Sequence, residues 1–207
     1  MDDRLEDFED VSQYPIDESA RDALLVAHRE CAVVWSTRDA WPVGVMHLYL
    51  WHDGRFWVTC TARRKRVSAL RARPQSCVIV PFEDERTLTA RTLAVVHAAP
   101  TEHARWFYPA LARQVLAEQP AAVRSEGVEG FVARLESDDR VIVELVPQKW
   151  ISFDGRKVKA HAAGLWKPGA AWLEPGSDSA SGGARSGEEI DFEDSTVGQR
   201  VDRLTRE

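Results

Sequence analysis

No GxGxxG or GxxxxGK[ST] occurs in the 207 residues, and strand and helix patterns do not alternate, so a parallel nucleotide-binding sheet is disfavoured. No GxSxG is present either, which removes the strand-turn-helix nucleophile of the hydrolases. The three cysteines, Cys31, Cys60 and Cys77, include no CxxC, and no His and Cys pair has zinc spacing. They read as reduced thiols and small core residues. No window approaches the roughly 18 apolar residues of a membrane-spanning helix. Lys and Arg total 27 against 33 Asp and Glu, a net charge of −6, and phosphate-backbone binding needs a broad cationic excess. A general nucleic-acid binder is therefore excluded, and any anion site must be local.

What is present is globular. Hydrophobic residues make up 44% of the chain and eight are Trp, enough to build one core. The opening MDDRLEDFED is acidic and lacks an apolar run, so neither a secretory signal nor a transit peptide is expected and the protein is placed in the cytoplasm. From Pro175 onward, Gly, Ser and charge replace large apolar groups, too little to offset the entropy of ordering. The expected organisation is an extension over residues 1–19, a folded domain over 20–173 and an acidic, disordered tail over 174–207. EEIDFED in that tail reads either as a solvating segment or as a docking segment.

Between these ends the pattern is mainly β. CAVVWST (31–37) is β-branched and apolar, DAWP is a turn, and VGVMHLYLW (43–51) alternates like a half-buried strand. Asp53-Gly54 is a strong hairpin signal joining it to FWVTC (56–60). Val67 and Leu70 at helical spacing, with Pro74 beyond, predict a short helix. SCVIVPF (76–82) and TLTARTLAVVHA (87–98) follow as strands. Thr101 is the expected N-cap of a helix that Pro109 bends and Pro120 stops. A second helix over Ala121 to Leu135 precedes two closing strands, RVIVELVP (140–147) and WISF (150–153). Six to seven mostly antiparallel strands with few helices imply a β-barrel with helices outside, since closure removes exposed edges.

TARRKR (61–66) stands where a strand gives way to a helix. Free backbone N–H groups and the positive helix end favour an anion there. Thr59 and Thr61 carry hydroxyl donors, Arg63 and Arg64 offer guanidinium forks and Lys65 a point charge. The same run is equally compatible with a solvated helix start.

From Cys31 to Val80, the strand, the hairpin at HDGR, FWVTC, TARRKRVSALRARP and a buried strand resemble the pyridoxamine 5'-phosphate oxidase-like family of flavin- and deazaflavin-binding split barrels. VELVPQKWISFDGRK (143–157) is similar to the closing strands of that family. The resemblance covers about residues 20–160. It implies a split β-barrel of the FMN-binding type, with a cofactor phosphate held by Thr59, Thr61, Arg63, Arg64 and Lys65. The ring would lie along Val45, Met46, His47 and Leu48. A homodimer is implied too, with Lys149 and Trp150 approaching the ring from the other subunit.

The chain departs from its relatives at VGVMHLYL, where many carry a proline, serine or polar pair. GRKVKAHAAG replaces the Arg-x-His element of the vitamin B6 oxidases, so pyridoxamine phosphate is not the expected substrate. FMN is the expected cofactor, with the 8-hydroxy-5-deazaflavin coenzyme as alternative, for whose longer tail Arg63 and Arg66 supply extra cations. The implied function is a flavin-dependent oxidoreductase acting on a small conjugated substrate. A non-catalytic flavin or haem carrier, or a scaffold dimer, stands beside it. His47 reads either as a proton donor near the ring or as a satisfied structural residue, and His97 likewise. Most of the Trp residues are expected in the core or interface, with Trp150 the foremost candidate for substrate contact.

Overall fold

The computed structural model describes residues 10–117 and 127–173. The expected acidic tail, Pro120 and the first part of the Ala121–Leu135 helix lie outside the described residues. Among the described residues two compact units are distinguished, one from 10 to 155 and a second over 156–173.

The larger unit carries seven strands: β1 (Glu30–Ser36), β2 (Pro42–Leu48), β3 (Leu50–His52), β4 (Arg55–Thr61), β5 (Gln75–Pro81), β6 (Arg86–Ala98) and β7 (Arg140–Asp154). Its helices are α1 (Glu18–Ala27), α2 (Lys65–Ala72), α3 (Ala104–Ala117) and α4 (Gly127–Leu135), and a single turn of 3-10 helix spans Val11–Gln13. All neighbouring strands are antiparallel, in the order β2-β1-β5-β6-β7-β4-β3. The two edge strands are consecutive in the chain, with only Tyr49 between them. The sheet must therefore curl until its edges meet at that residue, which is a barrel split along one seam. Tyr49 is fully buried there; its N–H donates to Arg29 O at 2.8 Å and its hydroxyl to Leu25 O at 3.0 Å.

VGVMHLYLW is thus two strands rather than the one expected. Its first half pairs β1 and its second half pairs β4, and alternation of side chains cannot report a change of partner. The Asp53-Gly54 hairpin forms as expected. Both residues have positive φ, 49° and 71°, as a two-residue turn of this twist demands.

Thr101 is not the N-cap of α3. The helix begins at Ala104, after a turn in which the Ala104 N–H donates to Thr101 O at 3.2 Å. Pro109 lies inside α3, and α4 begins at Gly127.

The two expected closing strands are one continuous β7 with a bulge. Arg91 pairs Lys149 while Thr92 pairs Pro147, which leaves Gln148 as the extra residue. The bulge inverts side-chain parity: Val141, Val143 and Leu145 point into the barrel, and so does Trp150 five residues after Leu145.

The barrel interior holds Val33, Phe56, Val58, Val67, Leu70, Val78, Val80, Leu88 and Leu145, all buried. A second cluster lies between the sheet and the α3–α4 pair and contains Trp57, Phe107, Tyr108, Leu111, Leu135 and Ile142. On the outer face of the sheet, register aligns Met46, Ala32, Ile79, Thr89 and Ile151 across five strands, and among the described residues Met46 and Ile151 are 59% and 56% exposed. Among the described residues no helix is long and apolar enough to cross a membrane.

In the second unit, α5 (Gly155–Ala162) leads to a short aromatic segment. Arg156 and Lys157 lie over the Trp172 ring at 5.6 and 5.9 Å.

Candidate functional site

The strand-to-helix junction is electrostatically unusual. Arg64 is the N-cap of α2, Lys65 and Arg66 open the helix, and no acidic residue occupies the first turn. Cations at the positive end of a helix are unfavourable, and no side-chain cap hydrogen bond offsets them. The nearby pair of Arg63 and Asp139 at 3.7 Å is exposed, so it adds little. An anion placed at this helix start would remove the mismatch.

The donors available to such an anion differ from those expected. Thr59 faces away from the barrel interior, beneath α3. Its hydroxyl donates to Val141 O at 2.8 Å and hydrogen-bonds Tyr108, whose pKa is pushed up mainly by burial. Thr59 is thereby engaged. Thr61, at the end of the same strand, has a buried hydroxyl with no hydrogen-bond partner among the described residues. Arg63, Arg64 and Lys65 are exposed, whereas Arg66 is half-buried with an unpartnered Nε.

The half-burial of Arg66 has a local signal in the sequence. Arg66 precedes the buried Leu70 by four residues and shares its helix face.

His47 stands close to Arg66. Burial first, and the Arg66 charge second, lower its pKa to about 4, so the ring is neutral at pH 7. Its Nε2 is buried and without a partner. Opposite it in the β1 register is Cys31, whose thiol burial pushes up to about 12.

Strand alternation divides the four expected ring contacts. Val45 and His47 are half-buried on the side of Val33 and Cys31, whereas Met46 and Leu48 are exposed on the outer face.

The late pair, Lys149 and Trp150, is divided in the same way. Trp150 turns inward against Trp51 at 5.9 Å and Phe56 at 6.0 Å, with the Arg21 guanidinium 4.7 Å over its ring. Lys149 is exposed on the outer face. Thr61 pairs Arg140, nine residues before Lys149 on β7.

The Nε2 of His97 lies 2.9 Å from a Glu144 oxygen, Arg55 takes the other carboxylate oxygen, and the His97 ring stacks at 6.0 Å on Trp57. This is a satisfied polar cluster beside α3; in register His97 pairs Ile142, which pairs Thr59, two residues before Thr61.

The unpartnered Thr61 hydroxyl, Arg66 Nε and His47 Nε2, beside a helix start crowded with cations, are what an anionic ligand would satisfy. The residues fit such a group.

No protein-family profile matches the sequence, and no curated protein is detectably similar to it. Solved structures do match the fold. A conserved hypothetical protein of Mycobacterium tuberculosis aligns with a TM-score of 0.59 at 16% identity, over 82% of this chain and 98% of that one. An F420 reductase aligns at 0.48 and 21% identity, over 63% and 94% of the two chains. A pyridoxamine 5'-phosphate oxidase-named protein of Listeria innocua aligns at 0.46 and 14% identity, over 65% and 96%. By fold the chain is a split barrel, in agreement with the resemblance of its sequence to the pyridoxamine 5'-phosphate oxidase-like proteins.

Proposed function

We propose that the protein is an oxidoreductase that binds FMN at the α2 entry and works as a homodimer on a small conjugated substrate. The observation that carries this reading is the α2 start, where four successive cations meet unpartnered buried donors on Thr61 and Arg66. Arg66 and Thr61 would hold the phosphate, with Arg64 and Lys65 as outer charges. Val45 and His47 would flank the ring on the barrel side. When bound, the flavin supplies the hydride-transfer chemistry, and the protein contributes binding, orientation and exclusion of water. A neutral His47 can donate or accept one hydrogen bond at Nε2, according to tautomer. The deazaflavin coenzyme is the alternative cofactor, favoured by the exposed Arg63, which continues the cationic surface beyond the phosphate position. A cytoplasmic setting agrees with three free thiols, Cys31, Cys60 and Cys77.

Titration with FMN and, separately, with the deazaflavin coenzyme names the cofactor through fluorescence and tryptophan quenching. Arg66→Ala is expected to weaken binding of that cofactor by about tenfold or more, as loss of a charge-assisted hydrogen bond does. Affinity unchanged in Arg66→Ala, with Arg64→Ala also silent, would remove the phosphate from this junction.

The dimer reading draws on the uncharged row Met46, Ala32, Ile79, Thr89 and Ile151. Met46→Glu with Ile151→Glu should convert a dimer to a monomer in light scattering, because two buried carboxylates per subunit would lack partners. A variant that keeps its dimer mass would sink this choice of interface.

A further inference from the structure

We propose that Arg140, at the start of β7, is a further ligand of the cofactor phosphate and closes on it together with Thr61. This rests on the reading above that Thr61 holds that phosphate, and it adds a residue from a distant part of the chain that the TARRKR run does not contain.

Thr61 and Arg140 are directly opposed in the β4–β7 register, so their side chains leave the same face of the sheet. The pairing continues one residue further, since the Ala62 N–H donates to Asp139 O at 2.8 Å. The Arg64 N–H donates back to Thr61 O at 3.1 Å, which ties the α2 start to the same residue. Arg140 is half-buried; its Nε is buried without a hydrogen-bond partner among the described residues, and so is the Thr61 hydroxyl. Two orphaned polar atoms in one cross-strand pair call for a shared partner.

Donor chemistry and charge say what that partner is. A guanidinium can only donate and the Thr61 hydroxyl can donate as well, so the missing group is an acceptor. Water would accept the hydrogen bonds but leave the charge unanswered, which a half-buried guanidinium tolerates poorly. The neighbouring carboxylates do not answer it either. Asp139 turns to Arg63 at 3.7 Å, Asp138 is exposed, and Glu136, whose charge reaches Tyr108, makes no ion pair with Arg140 among the described residues. The Arg140 charge also reaches Tyr108, so the guanidinium lies toward α3 rather than out in solvent. An anion with several oxygens satisfies both groups at once, one oxygen accepting from the Thr61 hydroxyl and another from the Arg140 fork.

Riboflavin, which is FMN without its phosphate, separates a phosphate contact from a structural role. Binding of each flavin to the full-length wild type and to Arg140→Gln is followed by fluorescence quenching. The wild type should prefer FMN, and Arg140→Gln should bind FMN about tenfold more weakly while binding riboflavin as the wild type does. Thr61→Val, which keeps the shape and removes the hydroxyl, should lower FMN affinity several-fold with the same selectivity. Arg140→Lys should recover part of the loss, because it keeps the charge and not the fork. If the deazaflavin coenzyme is the cofactor, its phosphate-free form takes the place of riboflavin. An Arg140→Gln protein that keeps the wild-type preference for the phosphorylated ligand, or that loses both ligands equally, overturns the role of Arg140 and leaves Thr61 and the α2 start standing. A wild type that binds both forms alike, or neither, overturns the phosphate reading and Arg140 with it.

Discussion

Replacing Phe56 with Ala should cost about 3–5 kcal/mol of stability, the range for a fully buried phenyl ring, and lower Tm by roughly 10 °C for a domain of this size. Phe56 has no exposed surface, and its ring lies 5.2 Å from Tyr49, 4.8 Å from Trp51 and 6.0 Å from Trp150. Those neighbours come from the seam residue, from β3 and from the part of β7 beyond the bulge. Removing the ring leaves a cavity where the seam, the hairpin and the closing strand converge, and three large aromatic side chains cannot collapse into it without leaving their rotamers. Phe56→Leu keeps most of the volume and should lose far less. Guanidinium unfolding of the two variants decides the matter: a loss under about 1 kcal/mol in Phe56→Ala would mean that the seam is not packed as described.

The second large effect is a pH dependence centred on His47. Its pKa in the folded chain is about 4, against about 6.5 for a free imidazole, because burial and the Arg66 charge both oppose the cation. Between these values the unfolded chain binds the proton and the folded chain does not, so stability falls as pH falls. The contribution is fully present above about pH 6.5 and is lost progressively down to about pH 4, a total of about 3 kcal/mol by linkage. Cys31, opposite in register, stays a neutral thiol throughout this range and adds no titration of its own. Comparing unfolding free energies of the wild type and His47→Gln at pH 7, 6, 5 and 4 isolates the effect from other acid-titrating groups. The wild type should lose more stability across this range than the variant. Parallel curves would show that His47 is solvated and that its Nε2 is not buried beside Arg66.

The two effects bear on function through the same architecture. The seam aromatics fix β3, β4 and the late part of β7 relative to one another, and β4 delivers Thr61 to the α2 start. His47 reports on the other side of that junction, where burial keeps its ring neutral and its unpartnered nitrogen available to a ligand.

By itself, the sequence determined the mainly β class, the Asp53-Gly54 hairpin, the short helix after TARRKR and the strands at residues 31–37, 56–60, 76–82 and 87–98. Each follows from a local cause: β-branched runs, a turn that needs positive φ, a 3.6-residue apolar spacing ended by Pro74. It also marked the helix start as a candidate anion site, because helix polarity and charge are both local. What tertiary structure decided is non-local. The change of pairing partner at Tyr49, which turns one apparent strand into two sheet edges, leaves no trace in alternation. The burial of Arg66 and His47 depends on how β2 and α2 meet, and the engagement of Thr59 depends on α3 lying across β4. The bulge at Gln148 decided most. One inserted residue reverses which side chains face the barrel, so Trp150 joined the aromatic interior and Lys149 joined Arg91 outside, because the register of two long strands is set by the sum of their pairings and not by either sequence alone.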